Sequence, residues 1–119
     1  MDEKLTKEIY LLHAQVCHAL GDPIRLLIFY ALYDKPYFVN DLAQELNLPQ
    51  PTVSRHLKIL RERSLVTAQR EGPSVRYSLA DDRIIAALDL MRGVLRDRIL
   101  EQAQVARTST MSEAEMLTD

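Results

Sequence analysis

The stretch VNDLAQELNLPQPTVSRHLKIL, residues 39–60, constrains the fold most because it holds two helical patterns separated by a turn. In each pattern apolar residues recur every three or four positions, which predicts two amphipathic helices packed on each other. Those residues are Leu42, Ala43 and Leu46 in the first helix, and Val53, Leu57 and Leu60 in the second. Asn47-Leu48-Pro49 ends the first helix, and Pro51 suits the start of the second because no N–H partner is needed there. The pattern predicts a helix-turn-helix whose recognition helix runs from Pro51 to about Arg63.

The second helix is predicted to expose a polar and basic face. On this interpretation His56 lies on the exposed face with Arg55, so that replacing either residue should leave the fold intact. Hydroxyl, guanidinium, imidazole and ammonium groups near a helix start can read base edges and contact phosphates. A merely solvated face would explain any one of these residues, but the combination with a helix pair and a hairpin favours DNA binding. The predicted DNA-binding residues of this helix are Gln50, Thr52, Ser54, Arg55, His56 and Lys58.

A β-hairpin is predicted directly after the helix pair, with strands at Leu65–Glu71 and Val75–Leu79. Apolar and polar residues alternate along the second strand, which predicts one buried face. Arg70 and Arg76 flank the tip of the hairpin, where a wing can contact the phosphate backbone. Two arginines on a hairpin are also typical of plain solubility, and their position after the recognition helix favours the wing.

Three further helices are predicted around this unit. Residues 5–20 form an amphipathic helix, and Asp22 caps a helix from Pro23 to about Asp34 that buries Ile28, Phe29 and Leu32. A final helix runs from Asp81 or Asp82 to roughly Gln104, and residues 105–119 form a polar, flexible tail. The final helix carries more apolar residues than one neighbouring helix would cover, which indicates a packing seam with another copy. The prediction is a mainly α protein with a small β-hairpin, one domain over residues 1–104.

Composition narrows the class of protein. The 119 residues include 47% hydrophobic and 27% charged residues, as in a soluble globular domain, and no apolar run approaches a membrane span. The single cysteine fits a reducing cytoplasm. The formal net charge is −2, but residues 39–79 carry six Lys and Arg against four Asp and Glu. The basic excess therefore lies on the predicted DNA-binding unit, and it is small enough to favour a dimer that presents two such units.

Three segments together resemble the ArsR/SmtB-type winged-helix repressors: ALGDPIRLLIFYAL, DLAQELNLPQPTVSRHLKIL and REGPSVRYSL. The resemblance covers roughly residues 5–100. It implies a homodimer formed by the first and last helices, bound to an inverted-repeat DNA operator and released by an inducer. The family's recognition pattern carries over onto Ser54, Arg55, His56 and Leu57, with Gln50 and Thr52 before them. Two residues depart from the family pattern: Ser64 stands where glycine is usual, and Pro49 stands where a capping serine is common.

The sensing sites that the resemblance implies are missing from this sequence. The segment YFVNDLA has no cysteine for a thiolate metal site, and DDRIIAALDLMRGVLRDR has no histidine for a zinc site. Carboxylates alone suit zinc poorly, so no metal and no cofactor is predicted. Cys17 with His13 four residues earlier is the remaining sensor candidate, through metal binding across a dimer or through thiol oxidation. The alternative is a cysteine that behaves as a small hydrophobe on the amphipathic helix and only fills space.

Three classes of function compete on these grounds. A DNA-binding transcriptional regulator, acting as a repressor, accounts for the helix pair, the wing and the basic face. A winged-helix protein-interaction module without DNA binding is the alternative, and the acidic net charge is its main support. An enzyme is not predicted, because the sequence lacks a glycine-rich phosphate loop, a nucleophile elbow and a metal-ligand cluster.

Overall fold

The structure is a computed structural model that describes the backbone of residues 1–117 and the side chains of residues 1–110. Its elements in chain order are α1 (Glu3–Leu12), a π-helical turn (His13–Cys17), α2 (His18–Leu20), α3 (Pro23–Asp34), β1 (Tyr37–Phe38), α4 (Val39–Leu46), α5 (Gln50–Glu62), β2 (Val66–Glu71), β3 (Ser74–Leu79) and α6 (Arg83–Leu117). The chain divides into two compact units, Met1–Ile85 and Ala86–Asp119. No helix in the described part of the chain is both long enough and apolar enough to cross a bilayer.

The core of the first unit lies where α3, α4 and α5 pack together. The apolar stripes predicted for these helices are confirmed except at Leu46, which is only half-buried. The buried residues are Ile28, Phe29 and Leu32 in α3, Leu42 and Ala43 in α4, and Val53, Leu57 and Leu60 in α5. Each fully buried large side chain stabilises the fold by about 1.5–3 kcal/mol relative to leaving it exposed. The helix-turn-helix is therefore held by the residues whose spacing predicted it.

Local chemistry explains where these helices begin. The Asp22 side chain accepts a hydrogen bond of 2.8 Å from the backbone N–H of Ile24, which confirms the predicted cap of α3. The recognition helix α5 begins at Gln50, one residue before the predicted start at Pro51, with Pro49 at the cap position. Pro49 offers no side-chain acceptor, so this helix start lacks the capping bond that a serine would make.

Both helices of the helix-turn-helix end in the same way. Asn47 after α4 and Ser64 after α5 have left-handed backbone conformations, with φ of 55° and 59°. Around Ser64, the N–H of Leu65 donates to the carbonyl of Leu60 at 2.9 Å, and the N–H of Ser64 donates to that of Arg61 at 3.0 Å. This pair of bonds is the Schellman motif, in which glycine is favoured at the left-handed position because L side chains are strained there.

The predicted hairpin is confirmed, and it is part of a three-stranded antiparallel sheet in the order β1-β3-β2. Gly72 has φ 60° in the turn between β2 and β3, a conformation that glycine adopts without strain. Tyr37 pairs with Tyr77, so the link predicted before α4 is a short edge strand. The predicted alternation of buried and exposed residues is wrong: residues 75–79 are all half-buried, because β3 is the middle strand and α3 and α4 pack against it.

The first helical segment, residues 3–20, is helical as predicted but contains the π-helical turn, in which His18 N–H donates to the His13 carbonyl. Its apolar stripe is largely uncovered within the chain. Ala19 is buried, whereas Leu5, Ile9 and Leu12 are 43%, 50% and 45% exposed.

Helix α6 is longer than predicted, since it continues to Leu117 instead of ending near Gln104. The Asp81 side chain accepts from the N–H of Arg83 at 2.9 Å, which confirms the predicted cap. Residues 105–117 contain no glycine or proline, so nothing in their sequence stops a helix already begun. The flexibility predicted for residues 105–119 stays a prediction, and residues 118–119 lie outside the described part of the chain.

The backbone strain at Ser64 gives a first prediction. Replacing Ser64 with glycine is expected to raise the free energy of unfolding by about 0.5–1 kcal/mol, because the strain relieved exceeds the extra freedom of glycine in the unfolded chain. Urea denaturation followed by circular dichroism measures the change. Asn47→Gly is the matched control and should give a smaller gain, since asparagine tolerates the left-handed conformation. A Ser64→Gly protein no more stable than wild type would contradict the assignment of strain.

Candidate nucleic-acid interface

The exposed face of α5 carries most of the residues predicted to contact DNA. Gln50, Ser54, Arg55 and Lys58 are exposed, and Thr52 is half-buried beside them. These side chains lie opposite the stripe that packs in the core, so the burial of that stripe fixes where they point. The face offers amide and hydroxyl groups at the start of the helix and two cations farther along, which suits contacts to base edges and phosphates.

His56 does not lie on that face, and its predicted exposure is wrong. Only 6% of its surface is accessible. The helical period explains the burial, because His56 is three residues after Val53 and four before Leu60, both of which are buried. His56 therefore belongs to the edge of the packed stripe, and replacing it with alanine is expected to disturb the fold.

A buried guanidinium group is the partner of His56. Arg25 of α3 is 8% exposed, and its Nη1 lies 3.1 Å from Nδ1 of His56. The same guanidinium donates from Nη2 to the carbonyl of His18 at 3.3 Å and from Nε to the carbonyl of Ala19. Arg25 thus connects the recognition helix to the end of the first helical segment, where the last carbonyls lack the usual N–H partner four residues on. The His18 carbonyl also accepts from the N–H of Gly21 at 3.2 Å.

The geometry fixes the protonation state of His56. A guanidinium group has only donors, so Nδ1 must be the acceptor and the imidazole must be neutral, with its proton on Nε2. Burial lowers the pKa of His56 below its usual value of 6.5, Asp22 opposes this shift, and Arg25 and Arg55 add to it. Of the described residues, none has a fully buried side-chain N or O atom without a partner.

A second arginine ties the other end of α5 to the first helical segment. Arg63 Nη1 donates to the carbonyl of Ala14, within the π-helical turn, at 2.9 Å, and to Oε1 of Gln15 at 3.2 Å. Neither Arg25 nor Arg63 was predicted as part of the site. The sequence does hold a signal for Arg25, since it precedes Ile28, Phe29 and Leu32 by three, four and seven residues and so lies on an apolar stripe.

The two predicted wing arginines have different surroundings. Arg70 is exposed on β2. Arg76 is held within the hairpin, because its Nη2 lies 2.9 Å from Oε2 of Glu71 and its guanidinium lies 5.2 Å from the centre of the Phe38 ring. Arg70 is consequently the cation of the wing that is available to a phosphate, whereas Arg76 would have to leave the Glu71 carboxylate.

The wing and the start of α5 border the same groove, a space of about 300 Å³. Gln50 lines it from the recognition helix, and Pro73 and Ser74 line it from the hairpin tip. Gln50, the first of the predicted DNA-binding residues of α5, therefore lies beside the tip of the wing.

The candidate sensing residues belong to neither α5 nor the wing but to the π-helical turn. Cys17 has a free and exposed thiol, and His13 is exposed as well. Cys17 therefore does not fill space in the core of the protomer. Within the described residues, no group of three or more His, Cys, Asp or Glu side chains is arranged to hold a metal ion. The sensing role of Cys17 and His13 stays a prediction.

Comparison with known proteins identifies the family to which this chain is related. Residues 22–68, which include α3, the helix-turn-helix and the start of β2, match the model of the bacterial regulatory proteins of the arsR family. The transcriptional regulator CmtR of Mycobacterium tuberculosis is 38% identical over 105 residues, which cover 88% of this chain and 89% of CmtR. The transcriptional repressor SmtB of the same organism is 38% identical over 78 residues, which cover 66% of this chain and 58% of SmtB.

The fold has solved counterparts too. The homodimeric winged helix-turn-helix DNA-binding domain of Mb0332 from Mycobacterium bovis superimposes with a TM-score of 0.69 at 24% identity, covering 83% of this chain and 91% of that domain. This likeness shows the winged helix-turn-helix fold, and the identity to CmtR over nearly its whole length shows the family. The chain belongs to the arsR family of bacterial regulatory proteins and is a DNA-binding transcriptional regulator.

Proposed function

We propose that this regulator is a homodimeric repressor that binds an inverted-repeat operator and leaves it when an inducer binds. The observation that carries the proposal is the exposed face of α5, which presents Arg55 and Lys58 to solvent and begins, at Gln50, beside the tip of the wing. The role of repressor is supported by the likeness to SmtB, of which the chain spans 58%.

The dimer is supported by apolar surface that the chain leaves uncovered. Helix α1 exposes Leu5, Ile9 and Leu12 along one stripe. Helix α6 exposes a longer series, made up of Leu90, Met91, Val94, Leu95, Ile99, Leu100 and Val105. A second copy that covered these side chains would remove them from water, and it would present two recognition helices with the two-fold symmetry of an inverted repeat. Half-sites should then lie about 34–36 Å apart, or at a multiple of that distance.

A protein-interaction module without DNA binding is the competing function, and selection from random duplexes tests the two against each other. The purified protein is expected to enrich one inverted-repeat sequence at moderate salt, and a footprint on it should protect both half-sites. Failure to enrich any duplex, even at low salt where phosphate contacts are strongest, would favour the interaction module.

Replacing Arg55 with alanine is expected to weaken binding to the selected operator by about 1–3 kcal/mol per half-site, because the guanidinium could no longer bind a base edge. Fluorescence anisotropy against cognate and scrambled duplexes measures the effect, which should be larger for the cognate sequence. Arg96→Ala is the matched control, since it removes an exposed arginine of α6. Equal losses in both variants would show that only net charge matters.

Replacing Arg70 with alanine is expected to weaken binding to all DNA sequences alike, because an ion pair with a phosphate carries no sequence information. The slope of log affinity against log salt should become shallower by about 1 for each phosphate that the protein no longer neutralises. Titrations over a range of salt concentrations measure the slope for cognate and scrambled DNA. A weakening confined to the cognate duplex would contradict the wing assignment.

Replacing Leu95 with glutamate is expected to split the dimer, because a carboxylate would be buried in an apolar interface. Leu95 is 58% exposed within the chain, so the protomer itself should fold normally. Sedimentation equilibrium should show a monomer, and operator affinity should fall with the loss of two-site binding. Gln104→Glu, which adds the same charge elsewhere on α6, is the control. A Leu95→Glu protein that remains dimeric would place the interface elsewhere.

A further inference from the structure

His56 lies on the buried side of the recognition helix and not on its exposed face. Its imidazole lies on the buried side of α5, and its Nδ1 accepts from Arg25 at 3.1 Å. Arg25 holds two carbonyls at the end of the first helical segment with its other donors. Arg25 therefore links His56 of α5 to the first helical segment.

We propose that His56 is a positioning residue for operator binding, and that α5 keeps its DNA-binding orientation only while the imidazole is neutral. The inference depends on the proposed operator binding and adds a regulatory property to it. Acid would lower the affinity for DNA by protonating one buried histidine on each subunit.

Protonation of His56 would break this hydrogen bond and replace it with a repulsion. An imidazolium has donors on both ring nitrogens, so its Nδ1–H would face the N–H of Arg25. Two positive charges would then lie about as close as the present hydrogen bond, in surroundings that shield them poorly. The guanidinium has no acceptor atom and keeps its positive charge, as arginine side chains do in proteins. The imidazole, or the helix that carries it, would have to move.

After protonation of His56, other contacts of α5 would remain. The hydrogen bond from Arg63 to the Ala14 carbonyl and the apolar stripe would still hold the helix. The link through Arg25 would be broken, so α5 could tilt about its other contacts without unfolding. A DNA-binding surface that depends on the spacing of two recognition helices is sensitive to such a tilt.

The charges around the imidazole set the direction of the pH effect. Asp22, just before α3, favours protonation, whereas Arg25 on α3 and Arg55 on α5 oppose it. Helix α4 and strand β2 also pack against α5. Among the described residues, no charged group of α4 or β2 contributes to the pKa shift of His56. Since burial lowers the pKa below 6.5, the neutral form prevails at neutral pH, and the hydrogen bond from Arg25 breaks as the pH falls through the lowered pKa.

The phosphates of bound DNA would act in the opposite direction on an ordinary histidine. Their negative potential raises the pKa of a nearby imidazole, so simple proximity makes affinity rise in acid. If affinity falls in acid and the fall depends on His56, then His56 acts by positioning α5 and not by lying close to the DNA phosphates.

The experiment uses the full chain, whose three histidines are His13, His18 and His56. The double variant His13→Gln, His18→Gln leaves His56 as the one imidazole and keeps the His18 carbonyl that Arg25 uses. Operator affinity is measured by anisotropy from about pH 7.5 to about pH 5.5 at constant ionic strength, the range in which histidine titrates. Affinity should fall toward acid by up to about tenfold per pH unit for each His56, the limit for one proton.

His56→Asn in the same background is the matched variant, because its side-chain oxygen can accept from Arg25 and does not titrate. It should bind the operator near pH 7.5 and lose the acid dependence. Circular dichroism over the same range should stay constant, which separates a tilt of α5 from unfolding. An equal fall in affinity for the asparagine variant would overturn the inference.

Proton NMR of the His56 imidazole gives a second readout that does not require the asparagine variant to fold. The pKa of His56 should be lower in the operator complex than in the free protein. An equal or higher pKa in the complex would overturn the inference and leave the proposed function standing, since the complex would have formed. Failure of the wild-type chain to bind any operator at pH 7.5 would instead overturn the proposed function, and the inference with it.

Discussion

A buried guanidinium group must be surrounded by acceptors, because an unpaired charge away from water is costly. Arg25 meets this requirement with two backbone carbonyls and one imidazole nitrogen, drawn from two separate parts of the chain. Arg25 constrains the orientation of α5 relative to the first helical segment, together with Arg63 at the other end of the helix. The exposed face of α5 is in turn constrained, since the stripe that carries His56 fixes which residues point outward.

Much of the fold could be predicted from local patterns, and the misses share a physical reason. The helix pair, the cap at Asp22 and the hairpin depend on spacing and turn chemistry within a few residues. The prediction for His56 is wrong because it followed the polarity of the imidazole, which favours exposure. The spacing from Val53 and Leu60 puts this residue on the packed stripe. The hydrogen bond that satisfies it comes from a residue 31 positions earlier, and no local pattern reveals such a partner.

The candidate site shows the same limit on the wing. Arg70 and Arg76 look equivalent in sequence, since both flank the hairpin tip. Their difference comes from cross-strand neighbours: Glu71 and Phe38 hold Arg76, and the pairing of β1 with β3 brings Phe38 opposite it. The edge strand that supplies Phe38 has two residues, too short a segment for periodicity to identify. A phosphate would therefore meet one available arginine and one that is already engaged.

The hydrogen bonds between α5 and the first helical segment also bear on how an inducer could act. Arg25 and Arg63 both bind backbone carbonyls there, and changes in the side chains of that segment leave these carbonyls in place. The exception is Gln15, whose Oε1 is a side-chain acceptor for Arg63. A shift of the backbone is different, because it moves the acceptors themselves. The π-helical turn includes the Ala14 carbonyl that Arg63 binds and the exposed Cys17, and it directly precedes the two carbonyls that Arg25 binds. A ligand that reshaped this turn would change both arginine links at once, and a coupling of about 1–3 kcal/mol, typical of allosteric proteins, would change DNA affinity by roughly 5–150-fold. Release from DNA would then require a small rotation of α5 and no loss of its core.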